Sequence, residues 1–184
     1  MSLKGYSIKG GYEWLSPAHV TFDWTALVWN NWNIPKHSMT TWLRMHKGMN
    51  TKSKLVRFGC CVDDLCILCQ RQPETMEHLF TNCVYTVRVQ THLVQWYGGS
   101  FPTVNNLIVV SKNNMQWKIK VAMFNAFNYS IWYQRNNVRI NDCLLRPEIV
   151  AARIEEDIRR RVKLKCRAVD NQTVLSWLQS MGVI

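Results

Sequence analysis

The chain has 184 residues, 47% of them hydrophobic, with nine tryptophans and a formal net charge of +11 at pH 7. That length buries a real core as one domain or one domain with an extension, and the composition excludes a disordered segment. No apolar run reaches the roughly 18 residues of a membrane span, no signal-peptide pattern opens the sequence, and so large a positive balance favours a polyanionic partner, chiefly nucleic acid.

In chain order, residues 1–18 read as a lead-in and a short helix, capped by Ser7, with Tyr12, Trp14 and Leu15 as its apolar contacts before Ser16 and Pro17. From Trp24 to Trp32, helical spacing puts Trp24, Leu27, Val28 and Trp32 on one face, and Ile34-Pro35 breaks the pattern. A second amphipathic helix is expected from His37 to Lys47, with Met39, Trp42, Leu43 and Met45 or His46 along one side. A third, Thr51 to Phe58, carries Lys52, Lys54 and Arg57 on its outer face. Glu74-Thr75 begins a short helix or turn, and Val84 to Tyr97 forms another helix closed by Gly98-Gly99. The stretch from Gly98 to Asn114, with Pro102 and a polar run at residues 111–114, is the best boundary. It divides a domain at residues 1–99 from a helical extension at residues 100–184 that packs on it. The extension holds a long helix, about Gln116 to Arg139, with Trp117, Val121, Phe124, Phe127 or Asn128, and Ile131 on its stripe. A last helix runs from Pro147 to Lys165, with proline tolerated in its first turn, and residues 174–178 add an apolar cap. Alternating strands are absent, so the expected fold is all-α.

Between the third and fourth of these elements stands the motif that carries chemistry. Cys66, Cys69, His78 and Cys83 read C-x2-C-x8-H-x4-C, three sulfurs and one imidazole within 18 residues. This is a complete tetrahedral donor set for one Zn²⁺, with metal–sulfur distances of about 2.3 Å. Four protein donors leave no open position for water or substrate, so the zinc is expected to be structural. The competing reading is four unrelated core residues, cysteine being a small hydrophobe. Cys60, Cys61, Cys143 and Cys166 read as reduced thiols of a nuclear or cytoplasmic protein, with Cys60 or Cys61 replacing Cys66 as a less regular ligand alternative.

The same segment resembles the zinc-binding domain of plant non-LTR (LINE-type) reverse transcriptases. The resemblance rests on YSIKGGYEWL at residues 6–15, Val28-Trp29, Ile34-Pro35-Lys36, Trp42-Leu43, Asn50-Thr51-Lys52, Leu55 with Gly59, the cysteine pair, Glu74-Thr75, His78-Leu79-Phe80 and Cys83. It covers about residues 5–97 and continues more weakly through Ile131-Trp132 and Arg135-Asn136. Cys60-Cys61 is not part of the family's pattern, and Tyr85 to Val89 depart from it. The resemblance implies that Cys66, Cys69, His78 and Cys83 are the ligands. It also implies a part in handling retroelement RNA or target DNA beside a polymerase that this sequence does not contain. The chain is then the tail of such a protein or a host gene derived from it.

No catalytic residues are expected. Asp63-Asp64 echoes a polymerase loop, but two-metal chemistry needs a further distant carboxylate, and no spaced set exists for a nuclease. The convincing Cys/His cluster is committed to metal, which argues against a Cys–His hydrolase. The basic residues fall into two groups, each a candidate for phosphate contact without base reading. Lys47, Lys52, Lys54, Arg57, Arg71 and Arg88 flank the metal motif; Arg153, Arg159, Arg160, Arg161, Lys163, Lys165 and Arg167 lie at the last helix. There Glu155, Glu156 and Asp157 are spaced to pair with the arginines. The tryptophans are read mainly as core, and His37, His46 and His92 are given no role. The alternative function is a protein–protein interaction module that docks a partner through an exposed tryptophan or a methionine face of Met39, Met45, Met49, Met115 and Met123.

Overall fold

The computed structural model describes residues 22–109 and 114–165, with positions 176 and 179 besides. The expected helix before Pro17, Arg167, Cys166 and the apolar cap at 174–178 lie outside the described residues or rest on them. Among the described residues, seven α-helices follow one another: α1 (Thr25–Val28), α2 (Pro35–Met45), α3 (Lys52–Arg57), α4 (Val84–Tyr97), α5 (Val104–Val109), α6 (Met115–Asn141) and α7 (Pro147–Lys165). A single π-helical turn, His78–Asn82, precedes α4. Among the described residues there is no strand, only an isolated bridge between Leu65 and Pro73. The fold is all-α.

Helix α6 is the axis of the molecule. Residues Val121 to Asn128 are all buried, because α2 packs on one side of the helix and α7 on another, with α4 against α7. One apolar cluster joins Leu79, Phe80, Val89 and Leu93 to Ile119, Met123, Phe127 and Ile131 of α6 and to Val150, Ile154 and Ile158 of α7. A smaller one gathers Leu27, Leu107, Trp117, Val121 and Phe124 where α1 and α5 meet the start of α6. Two helix boundaries follow ordinary capping. Asn114 Oδ1 accepts from Gln116 N at 2.9 Å to start α6, and Gly98, at φ 74°, ends α4 in the left-handed region that glycine enters without strain.

Two expectations need correction. The helix read from Trp24 to Trp32 stops at Val28 because side chains from elsewhere take its last carbonyls. Asn33 Nδ2 donates to Leu27 O at 2.8 Å and to Val28 O at 2.9 Å, Ser38 Oγ to Val28 O at 2.8 Å, and Asn125 Nδ2 to Leu27 O at 2.9 Å. Trp32 is buried from the following loop, whereas Trp29 is exposed. Helix α2 also turns the unexpected face inward: His37, Ser38, Thr40 and Thr41 are buried and Met39 is 53% exposed. The α2–α6 contact is a hydrogen-bonded one, with Asn128 Nδ2 donating to Thr41 Oγ1 at 3.1 Å and Arg44 reaching Asn128 Oδ1. The Arg44 guanidinium lies over the rings of Phe80 (4.5 Å) and Phe124 (5.4 Å), and burial lowers its pKa to about 10. A third difference is α5, which occupies part of the stretch read as a boundary.

Candidate metal centre

The loop between α3 and the π-turn is built to present two sulfurs. Leu65 pairs with Pro73, Cys66 N donates to Gln72 O at 2.8 Å, and Gln70 N donates to Cys66 O at 2.8 Å. Gln70 takes φ 53°, the left-handed conformation that lets the chain reverse immediately after the second cysteine. This tight turn aims Cys66 and Cys69 the same way, and the backbone N–H groups of Leu68 and Cys69 donate to Cys66 Sγ.

The other two ligands come from the π-turn. Thr75 Oγ1 accepts from His78 N at 3.0 Å, and Cys83 N donates to His78 O at 2.7 Å, an i→i+5 bond that closes one wide turn. That bond brings His78 and Cys83, five residues apart in sequence, to the same end of the turn. Cys83 is also the N-cap of α4, and the first N–H groups of that helix, from Tyr85 and Thr86, donate to its sulfur. Burial of Leu79 and Phe80 in the apolar cluster fixes the turn on α6.

The four donor atoms lie within 4.8 Å of one another. Cys66 Sγ and Cys83 Sγ are 3.9 Å apart, and Cys69 Sγ is 3.3 Å from His78 Nε2. A tetrahedron with metal–sulfur bonds of about 2.3 Å has sulfur–sulfur edges of about 3.8 Å. The two buried sulfurs are hydrogen-bonded to each other through a thiol proton. The hydrogen bond from Cys66 holds the Cys83 thiol down at about 5, and the same bond, with burial, pushes the Cys66 thiol up. A divalent cation replaces that proton and takes both as thiolates. Geometry and donor chemistry therefore both fit zinc.

Residues 6–89 match the family described as zinc-binding in reverse transcriptase. That stretch is what the chain shares with reverse-transcriptase zinc-binding domains. Cys66, Cys69, His78 and Cys83 lie close enough together to hold one metal ion, and with the family match this cluster supports one structural zinc ion. The family is an accessory, zinc-binding part of a reverse transcriptase and not its catalytic part. No curated protein and no solved structure gives a match. Neither Cys60 nor Cys61 belongs to the cluster of four donors; both are free thiols, as is Cys143.

The acidic residues around the zinc-binding domain's cysteine turn have structural work. Asp63 pairs with Lys52 Nζ and accepts from Leu65 N at 3.1 Å, while Asp64 O accepts from Glu74 N at 2.6 Å and its carboxylate from Ser53 Oγ at 3.3 Å. Glu74 is the residue whose importance composition and spacing did not reveal. It is fully buried, and one carboxylate oxygen accepts from Arg135 Nη2 (2.7 Å), Arg135 Nε (3.0 Å) and Lys52 N (2.9 Å). The other oxygen accepts from Ile67 N, inside the cysteine turn, at 3.3 Å. Arg135, 1% exposed, also donates to Asn50 O at 3.3 Å and Asn136 Oδ1 at 2.9 Å. One buried ion pair thus ties α6 to the metal turn and to the start of α3. Its two members sit in motifs of the family resemblance, Glu74-Thr75 and Arg135-Asn136, and that was the available signal.

The basic candidates divide by their partners. Lys52 is drawn to Asp63. Arg161 donates to Asn31 O, to Trp32 O at 2.8 Å and to Asn33 O at 3.0 Å, capping the loop after α1. Arg160 pairs with Glu156 at 2.6 Å, and Arg159 lies 5.5 Å over the ring of Trp96. Lys163 and Lys165 are exposed at the end of α7. Lys47, Lys54 and Arg57 line one cleft, of about 600 Å³, between α2, α3 and the π-turn. Arg71 and Arg88 line another, of about 320 Å³, directly beside Cys69. Arg146, which the sequence reading passed over, joins them there.

Proposed function

We propose that the chain is a non-catalytic nucleic-acid-binding domain. It is part of, or descended from, the C-terminal region of a plant LINE-type reverse transcriptase. It acts in the nucleus or cytoplasm, where it holds RNA or DNA backbone for a neighbouring polymerase. The observation that carries this reading is the cleft beside the zinc. Arg71 comes from the cysteine turn, Arg88 from α4 and Arg146 from the approach to α7, and no carboxylate is among the residues lining their cleft. Neither Arg71 nor Arg88 forms a hydrogen bond or ion pair with a described residue, so their charge is available to a polyanion. With Lys47, Lys54 and Arg57 on the other flank, phosphate contacts are supplied from both sides of a rigid metal centre, with no base-reading element required. Helix α6 serves as the brace, since it anchors the metal turn through Arg135. Among the described residues no helix is long and apolar enough to cross a membrane.

The methionine face of the competing interaction-module reading does not assemble: Met49 and Met123 are buried, Met45 and Met115 half-buried, and Met39 alone is exposed. The test is a titration of single-stranded RNA, single-stranded DNA and duplex. With about six phosphates neutralised, affinity falls about 1,000-fold between about 50 and 200 mM salt. Absence of binding at the lower salt refutes the proposal.

A further inference from the structure

Phe58 stands at the C-terminal end of α3 with 64% of its surface exposed, the most exposed aromatic side chain among the described residues. It lines the cleft of about 600 Å³ that also takes Lys47, Lys54 and Arg57. Lys54 Nζ lies over one face of its ring, 5.9 Å from the centroid, so a largely exposed aromatic ring and an ammonium group stand together in one cleft. A cleft of this volume is in the range that accepts a small organic group. Its fourth cation, Arg44, is already committed to Asn128 and to the rings of Phe80 and Phe124. That leaves three cations facing one carboxylate, Glu77.

We infer that this cleft binds single-stranded nucleic acid, with one unpaired base stacked on Phe58 and adjoining phosphates on Lys47, Lys54 and Arg57. The inference rests on the nucleic-acid function proposed above and adds a strand preference to it. A stacked aromatic platform with a basic wall suits an unpaired strand, because a duplex keeps its base faces covered. An acidic peptide satisfies the cations but leaves the ring without a partner. The aromatic group therefore separates the two occupants.

The experiment measures binding of the full chain to oligouridine, to a mixed-sequence single strand and to the matching duplex, for the wild type, Phe58→Ala and Phe58→Tyr. Zinc content and circular dichroism establish that each variant is folded. The expected result is that Phe58→Ala loses about tenfold in single-strand affinity, keeps its duplex affinity, and that Phe58→Tyr restores the loss. Replacing Lys47, Lys54 and Arg57 with Gln lowers the single-strand salt slope by about 2. If the wild type binds nucleic acid but Phe58→Ala changes both strand forms equally, or neither, the cleft assignment fails and the general function stands. It also fails if polyglutamate displaces oligouridine as effectively as unlabelled oligouridine does. If the wild type binds no nucleic acid at low salt, both fall.

Discussion

Replacing Glu74 with Gln keeps the volume of a fully buried side chain and removes only its charge. The Arg135 guanidinium then stays 1% exposed, facing at best a neutral amide oxygen, with Asn50 O and Asn136 Oδ1 as its other acceptors. Removing one member of a buried ion pair costs about 3–5 kcal/mol, because the other charge is left uncompensated out of water. The amide also turns two donors toward N–H groups that previously met oxygen, at either Lys52 N or Ile67 N. Taking about 4 kcal/mol in total, the zinc-loaded protein should lose about 10 °C in melting temperature. Because Ile67 lies between the first two zinc ligands, the variant should also bind zinc about 10–100-fold more weakly, the usual effect of losing an outer-shell partner. Urea unfolding gives the first quantity and competition with a chromophoric chelator the second. A double variant, Glu74→Leu with Arg135→Met, should recover most of the stability, since it removes both charges. A loss below about 1 kcal/mol for Glu74→Gln, with zinc affinity unchanged, would refute the claim that this pair couples α6 to the metal turn.

Arg161→Ala should cost about 2 kcal/mol by releasing the carbonyls of Asn31, Trp32 and Asn33, yet leave the salt slope of nucleic-acid binding unchanged. Lys54→Gln with Arg57→Gln should do the reverse, lowering the slope with little effect on urea unfolding. Burial, and then the charge of Lys36, lowers the pKa of His37 from 6.5 to about 4, with the Tyr129 ring tilted against it and Asp157 at 3.8 Å. A depressed histidine pKa means that the unfolded chain binds the proton first. Stability is therefore full above about pH 6.5 and falls toward pH 4, by at most about 3 kcal/mol from this group. His37→Gln should flatten that limb relative to wild type in urea unfolding at matched zinc, the comparison cancelling the common effect of ligand protonation. Cys69→Ser should lower zinc affinity sharply, while Cys60→Ser and Cys61→Ser leave it unchanged in the same chelator competition.

The ligand set was legible because cysteine and histidine at those separations have few other uses, and the turn and the π-helical step that join them are local. Helices α4 and α7 kept the limits read from Gly98 and Pro147, again local signals. What sequence could not give were the long-range polar contacts. The end of α1 is set partly by Asn125, which lies 98 residues from Leu27, and α2 shows its polar face to α6 because Asn128 and Arg44 meet there. The Glu74–Arg135 pair spans 61 residues and has no periodicity to betray it. Among the basic residues, charge alone did not separate Arg161, which is spent on carbonyls, from Arg71 and Arg88, which are not.

Native mass spectrometry of the untagged full chain, paired with elemental analysis, tests the metal centre most directly. The account predicts one zinc per chain, lost in Cys66→Ser with Cys69→Ser, and a cooperative fold that collapses when a strong chelator strips the ion. A chain that carries no stoichiometric zinc and keeps its helical spectrum and unfolding midpoint in chelator would contradict it.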